Sequence, residues 1–236
     1  MILSRGRSES ICTNKLLPEW VEVVVPESEK ELYQKTVKNP LITTPDNVIG
    51  LGRLRNWCLD HFPEETVVMV DDDIMHFYNL SGPKTKRITD PEEVVQVIIN
   101  TAVMAKDAGA KCFGFAQTDI RKFKGYDPFC LCSWIGTIIG VIGRKYRFRD
   151  DKYKVDIDFC LQNLLIERII WMDSRYYASN VKDANSGGNA TFRTEDEYNR
   201  SIETLKQKWG DCIHVSDFKN QKKIRLNVGR KQPIKI

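Results

Sequence analysis

The chain has 236 residues, a length that allows one large domain with a substantial buried core. No run of about 18 apolar residues is present, which argues against a membrane-spanning helix, and the N-terminus lacks the apolar core of a secretory signal peptide. The net charge is only +4. The seven cysteines have irregular spacing, which argues against a disulfide framework or a zinc site. We therefore expect a globular, cytoplasmic protein with reduced thiols and no membrane partner.

The first 80 residues alternate short apolar strands with helices. The predicted strands cover residues 1–3, 21–25, 41–44 and 66–70, and the predicted helices cover 27–35, with Ser28 as its cap, and 50–62. This β-α-β-α-β order indicates a parallel sheet with right-handed crossovers.

The second half mixes further strands with three stronger helix signals. Strands are expected at 74–80, 111–116 and 169–178, with two more within 130–142 separated by Gly136 and Gly140; helices are expected at 90–107, capped by Asp90, at 156–168, and at 194–209 with a Thr194–Glu197 capping box. Residues after 211 are expected to form a strand or an arm.

Three consecutive carboxylates, Asp71, Asp72 and Asp73, follow the valine-rich segment 66–70. That segment fits a strand buried on both faces of a parallel sheet, and ligands of such sheets gather at the carboxyl ends of the strands. Alternation along an extended chain would place Asp71 and Asp73 on one side, where oxygen ligands suit a hard divalent cation and a diphosphate. The alternative is an ordinary polar strand end or helix cap.

These features together have a family resemblance. The loop Ser4-Arg5-Gly6-Arg7, the helix with Arg53, Arg55 and Asn56, and the strand that ends in Asp71-Asp72-Asp73 resemble the GT-A glycosyltransferases. More narrowly, the chain resembles the phage DNA-base glycosyltransferases associated with TET/JBP-type hydroxylases, which put sugars on 5-hydroxymethylpyrimidines.

The resemblance implies an α/β fold of GT-A type, with a Rossmann-like, mixed but mainly parallel sheet flanked by helices. Residues 1–215 would form a single catalytic domain, with a nucleotide-sugar-binding half at 1–80 and an acceptor half at 81–215. Residues 216–236 would form a basic C-terminal arm.

The resemblance also implies a donor site. Asp71 and Asp73 would bind Mn²⁺ or Mg²⁺, with His214 as a third ligand or simply a packed residue. The nucleoside-diphosphate sugar, a UDP-sugar by preference, would be held by a wider set: Ser4, Arg5, Arg7, Arg53, Asn56, Asp71, Asp72 and Asp73. Arg55 is expected on a solvated helix face. Gly187 and Gly188 resemble a lid over the nucleotide.

The catalytic base is expected at the start of the helix at 156–168. The resemblance places a carboxylate there that takes the proton of the acceptor hydroxyl, and Asp158 is preferred over Asp156. Either residue is also a candidate helix cap. An inverting enzyme needs this base, whereas a retaining enzyme does not.

Basic residues cluster in two places that suit the phosphates of a DNA acceptor with modified pyrimidines. The candidates are Arg144, Lys145, Arg147, Lys219, Lys222, Lys223, Arg225, Arg230 and Lys231. An ordinary solvated surface is the alternative. A glycosyltransferase with a protein, lipid or polysaccharide acceptor and a nucleotidyltransferase also remain open, and a pure binding module fits the acidic strand end least.

Overall fold

The structure of the protein is a computed structural model that describes residues 1–122, 127–150, 153–180, 194–218 and 221–228. Most of its strands join one ten-stranded sheet. These strands are β1 (Ile2–Leu3), β2 (Val23–Pro26), β3 (Leu41–Thr44), β4 (Thr66–Asp71), β5 (Ile74–Asn79), β6 (Lys86–Ile88), β7 (Cys112–Ala116), β8 (Phe129–Cys130), β9 (Ile138–Ile142) and β10 (Trp171–Asn180). The order across the sheet is β3-β2-β1-β4-β9-β7-β10-β5-β6, and β8 pairs with β10.

The sheet is mixed, with most strands pointing the same way. β3, β2, β1 and β4 are parallel neighbours, as the β-α-β-α-β order predicts. β9 runs antiparallel between β4 and β7, and β5 runs antiparallel to both β10 and β6. The predicted mixed, mainly parallel sheet is therefore observed, although β4 has only one parallel neighbour.

Helices cover both faces of the sheet. They are α1 (Lys30–Gln34), α2 (Leu51–His61), α3 (Pro91–Asp107), α4 (Val155–Ile166) and α5 (Glu195–Trp209). One core joins α1 and α3 to one face of the sheet, and a second core joins α2 and α4 to the other face. Successive residues of β4 enter opposite cores, Val67 and Met69 on one side and Val70 on the other, so its predicted burial on both faces is confirmed.

The caps of the two long helices agree with the sequence patterns, and two smaller predictions are wrong. Asp90 accepts a bond from the backbone of Glu92 at the start of α3, and the capping box is present at α5. Ser28 caps no helix, because it lies in a 3₁₀ turn and bonds Asp46. Gly140 does not break a strand but lies inside β9.

The C-terminal part of the described chain is a two-stranded hairpin of β11 (Ile213–Phe218) and β12 (Gln221–Leu226). Ile213 packs with α4 and α5 in a third core, and Ile224 and Leu226 pack against it. The expected boundary at residue 215 therefore falls inside a strand of a packed hairpin. Among the described residues, no helix combines the length and apolar character needed to cross a bilayer.

Candidate active site

A cavity of about 650 Å³ opens at the carboxyl end of β4. Its walls come from α2, from the segment before β9, from the start of α4, from the end of β10 and from α5. Its lining includes Arg55, Asp71, Gln117, Trp134, Gly136, Asp156 and Asn180. The position agrees with the rule that ligands of open α/β sheets bind beyond the carboxyl ends of strands.

Asp71 and Arg55 form the floor of this cavity. Arg55 is 1% exposed, and its Nη2 donates to Asp71 Oδ1 at 3.2 Å and to the Gly136 carbonyl at 3.3 Å. Its Nε and Nη1 are buried without a hydrogen-bond partner among the described residues. The expected solvated position of Arg55 is wrong. A buried guanidinium with spare donors suits an anionic ligand.

Burial raises the pKa of Asp71 to about 7; Arg55 opposes this rise, while Asp73, Asp72 and Asp156 add to it. The Asp71 side chain nevertheless keeps 30% of its surface exposed. Burial and the neighbouring carboxylates therefore both disfavour the charged form of Asp71.

Asp72 points away from the cavity, and its hydrogen bonds hold the loop that follows β1. It is 6% exposed, and it accepts bonds from Ser4 Oγ at 2.5 Å and from Arg7 Nη1 at 2.7 Å. Ser4 also bonds the Tyr33 hydroxyl at 2.6 Å. The expected nucleotide contacts of Ser4 and Asp72 are therefore wrong: both side chains are buried and bonded inside the fold. Arg7 is anchored to Asp72 and lies 3.7 Å from Asp73.

Asp73 lies in the turn that follows β4, so the alternation expected for an extended chain stops at Asp71. Asn180 Nδ2, at the end of β10, donates to Asp73 Oδ1 at 3.0 Å. Burial and the neighbouring Asp72 raise the pKa of Asp73. The pairing of β5 with β10 brings Asn180 across to the acidic turn.

The donor set at this turn fits a hard divalent cation. It offers two partly exposed carboxylates, Asp71 and Asp73, and such cations prefer oxygen ligands. The described residues include no group of three or more His, Cys, Asp or Glu that could hold a metal ion. His214, the expected third ligand, is exposed on β11, opposite Arg225, and its role as a ligand stays a prediction.

Three other expected donor-site residues do not line the cavity. Arg53 is exposed and forms an ion pair with Asp150 at 2.6 Å. Asn56 exchanges two hydrogen bonds with the backbone of Phe148. Arg5 donates to the Val48 carbonyl at 3.0 Å. The expectation that Arg53 and Asn56 both face the nucleotide crevice is wrong, because the inner face of α2 carries Arg55.

The two carboxylates at the start of α4 have opposite surroundings. Asp158 is fully buried, and it accepts bonds of 2.8 Å from Gln162, Lys208 and Trp209. Asp156 lines the cavity and forms no hydrogen bond with a described residue. The preference for Asp158 as base is therefore wrong, since its oxygens are already occupied and do not reach the cavity.

The first basic cluster is bonded within the fold. Arg144 donates to the carbonyls of Leu59, Phe62 and Glu64, which satisfies the end of α2, and its expected DNA contact stays a prediction. Lys145 and Arg147 form exposed ion pairs, with Glu167 and Asp60 respectively.

The second cluster lies on the hairpin. Lys223 and Arg225 are exposed on β12, and the Lys222 carbonyl accepts a 2.6 Å bond from Tyr198, a cavity-lining residue. Lys219, Arg230 and Lys231, and the expected lid at Gly187 and Gly188, lie outside the described residues.

The sequence patterns did not predict that Arg55, Gln117 and Asn180 line the cavity. The signal for Arg55 was present, because it falls on the same helical stripe as Leu51, Cys58 and Leu59. Gln117 and Asn180 carry no comparable signal. Their place in the cavity depends on which strands become neighbours in the sheet.

Comparison with known proteins agrees with this architecture. A family model described as TET-Associated Glycosyltransferase matches residues 1–188. Among curated proteins, none matches the chain.

Two solved structures are similar to this chain. Glucosyl-3-phosphoglycerate synthase from Mycobacterium tuberculosis, in complex with Mn²⁺, UDP and glucosyl-3-phosphoglycerate, is 9% identical with a TM-score of 0.53, over 94% of this chain and 84% of that chain. S. aureus TarS 1–349 in complex with UDP-GlcNAc is 16% identical with a TM-score of 0.48, over 86% of this chain, which spans 65% of that one. The predicted GT-A-type α/β fold is confirmed. By the family match over most of its length, the chain belongs to the TET-Associated Glycosyltransferase family.

Proposed function

We propose that the protein is a metal-dependent glycosyltransferase that moves a sugar from a UDP-sugar to the hydroxyl of a 5-hydroxymethylpyrimidine in DNA. The observation that carries the proposal is the presence of Asp71 and Asp156 in one cavity, with Asp156 free of bonds to described residues. Family membership supports the reaction class and favours the DNA acceptor. The Mn²⁺ and UDP bound to the synthase of similar fold support a divalent cation and a uridine donor.

Asp71 and Asp73 would hold Mn²⁺ or Mg²⁺. When bound, the cation supplies Lewis-acid stabilisation of the charge on the diphosphate leaving group. Asn180 holds the Asp73 carboxylate in place, and Arg55 holds that of Asp71. Nε and Nη1 of Arg55, which have no partner among the described residues, are donors of a kind that suits phosphate oxygens.

Asp156 is the proposed general base. An acceptor hydroxyl is a weak nucleophile at neutral pH, and a carboxylate within hydrogen-bond reach takes its proton as the new glycosidic bond forms. Direct displacement by that hydroxyl inverts the configuration of the sugar carbon, so this assignment implies an inverting enzyme. Lys223 and Arg225, on the hairpin that Tyr198 joins to the cavity wall, are the proposed phosphate contacts.

The experiment is a matrix of nucleotide sugars and acceptors in the presence of Mn²⁺ or Mg²⁺. The acceptors are 5-hydroxymethylcytosine DNA, 5-hydroxymethyluracil DNA and unmodified DNA. After digestion, mass spectrometry of the nucleosides should show one added sugar only on the hydroxymethylated bases. No addition with any donor would refute the proposal.

The same reactions test the two alternative activities. Release of pyrophosphate in place of UDP would identify a nucleotidyltransferase. Sugar transfer to protein, lipid or polysaccharide extracts but to no DNA would identify a different acceptor class.

A further inference from the structure

Three side chains converge on Gly136 at the base of the cavity. A Cβ atom at this residue would lie 2.4 Å from Gln117 Nε2, 3.0 Å from Trp134 Cζ3 and 3.3 Å from Asp156 Oδ2. A side chain at position 136 would therefore displace the Gln117 carboxamide and crowd the Trp134 ring. Gln117 Nε2 and Asp156 Oδ2 thus both border the space beside Gly136.

Gln117 has no assigned task within the described fold. It follows directly after β7, so its backbone is held by the sheet, and its side chain is half-buried. Its carboxamide forms no hydrogen bond with any described residue, although it lines the cavity. The carboxamide is therefore available to donate to and accept from a ligand in the cavity.

The chemistry of the acceptor indicates which ligand atom meets this amide. In a 5-hydroxymethylpyrimidine, the ring carbon that carries the hydroxymethyl group is bonded to C4. The C4 substituent, an amino group in cytosine and an oxo group in uracil, is therefore the polar group of the ring next to the reacting hydroxyl. A pyrimidine whose hydroxyl reaches Asp156 can turn its C4 substituent toward Gln117, which lines the same cavity.

We propose that Gln117 is a specificity-determining residue that bonds the C4 substituent of the acceptor pyrimidine. This inference rests on the proposed function. The carboxamide oxygen accepts from a 4-amino group and the carboxamide nitrogen donates to a 4-oxo group, so glutamine serves both bases after rotation of its amide. Glutamate in the same place only accepts, and it selects the 4-amino base.

The test is a competition between 5-hydroxymethylcytosine DNA and 5-hydroxymethyluracil DNA in one tube. The ratio of the two glycosylated nucleosides gives the ratio of kcat/KM directly. Relative to the wild type, Gln117→Glu should shift this ratio toward cytosine by about tenfold or more. Gln96→Glu is the matched control, because Gln96 is exposed on α3 and bonded to Asn100, and it should leave the ratio unchanged.

A second variant covers the case in which Gln117→Glu does not fold. Gln117→Met keeps the length of the side chain and should lower kcat/KM for both DNAs by about tenfold while the KM for the UDP-sugar stays constant. An unchanged base ratio in a folded Gln117→Glu, or a Gln117→Met effect confined to the donor KM, overturns the inference and leaves the proposed function standing. A wild-type protein that glycosylates neither DNA overturns both.

Discussion

Arg55 Nη2 lies 3.2 Å from Asp71 Oδ1, and this ion pair connects the inner face of α2 to the carboxyl end of β4. The same nitrogen bonds the Gly136 carbonyl, so one buried guanidinium positions both the acidic strand end and the glycine beside which Gln117 and Asp156 lie. The guanidinium also lies over the Phe148 ring, 5.2 Å from its centroid. Arg55 therefore links the proposed donor and acceptor sides of the cavity.

Replacement of Arg55 by lysine should impair catalysis strongly. An ammonium group keeps the charge but sits on a shorter side chain and lacks the Nε and Nη1 donors, and a small misplacement of catalytic groups costs about 10²-fold in rate. We expect kcat to fall by that order. Arg53→Lys is the control, since Arg53 lies on the same helix but in an exposed pair with Asp150. Equal activity of the two variants would contradict the role of Arg55.

Replacing Asp156 should reduce activity, whereas replacing Asp158 should reduce stability. Asp156→Asn removes the proposed base and should lower kcat by about 10²–10⁴-fold while the thermal midpoint is retained. Asp158→Ala leaves Lys208 and Trp209 without their buried acceptor and should cost about 3 kcal/mol of unfolding free energy. Chemical denaturation and steady-state kinetics on both variants provide the measurements. An active Asp156→Asn would refute the assignment of the base.

The sequence patterns predict most elements because apolar periodicity depends on local chain geometry. The fold around β4 and the caps at Asp90 and Thr194 follow from such local signals. The direction in which each side chain of the site points is harder to predict from the sequence. Asp156 and Asp158 are two residues apart on one helix, and only the packing of α5 decides that Asp158 is the buried one.

The position of Arg55 shows a different limit. Its helical spacing places it on the buried stripe of α2, but a charged residue is rarely fully buried unless it is paired. The partner, Asp71, is 16 residues away on another element. Burial of this charge therefore depends on a tertiary contact that local patterns do not encode.

The exposed cations of the hairpin should contribute to DNA affinity in a salt-dependent way. Each phosphate contact releases condensed counterions, which gives log K a negative slope against log salt. The loss of Lys223 and Arg225 together should make this slope shallower by about 2. The change is measured with the double alanine variant across a salt series on duplex DNA. Lys38→Ala, at an exposed pair with Glu19, is the control. A slope unaffected by the double variant would exclude the hairpin from the DNA interface.

Gly140 should tolerate no side chain. A Cβ atom there would lie 2.0 Å from the Phe113 ring, which fills the space above β9, so Gly140→Ala overpacks the core and should cost about 1–3 kcal/mol. Adding Phe113→Leu should restore part of this loss, because the two residues share one contact. Gly82→Ala, whose nearest neighbour would be 3.8 Å away, should change stability by less than about 0.5 kcal/mol. A harmless Gly140→Ala would show that the sheet relaxes at this point.

Glu167 should contribute stability only above acidic pH. Hydrogen bonds from Lys145 and Tyr146 lower the pKa of Glu167 in the folded state. A lowered folded-state pKa means that the stabilisation is complete above the unfolded pKa of about 4.3 and disappears as pH falls through the folded value. At pH 7, Glu167→Gln should therefore be less stable than the wild type by up to about 1 kcal/mol, a value limited by the exposure of Lys145. Denaturation of both proteins from pH 7 down to pH 3 gives the difference, and a gap that persists or widens in acid would contradict the pairing.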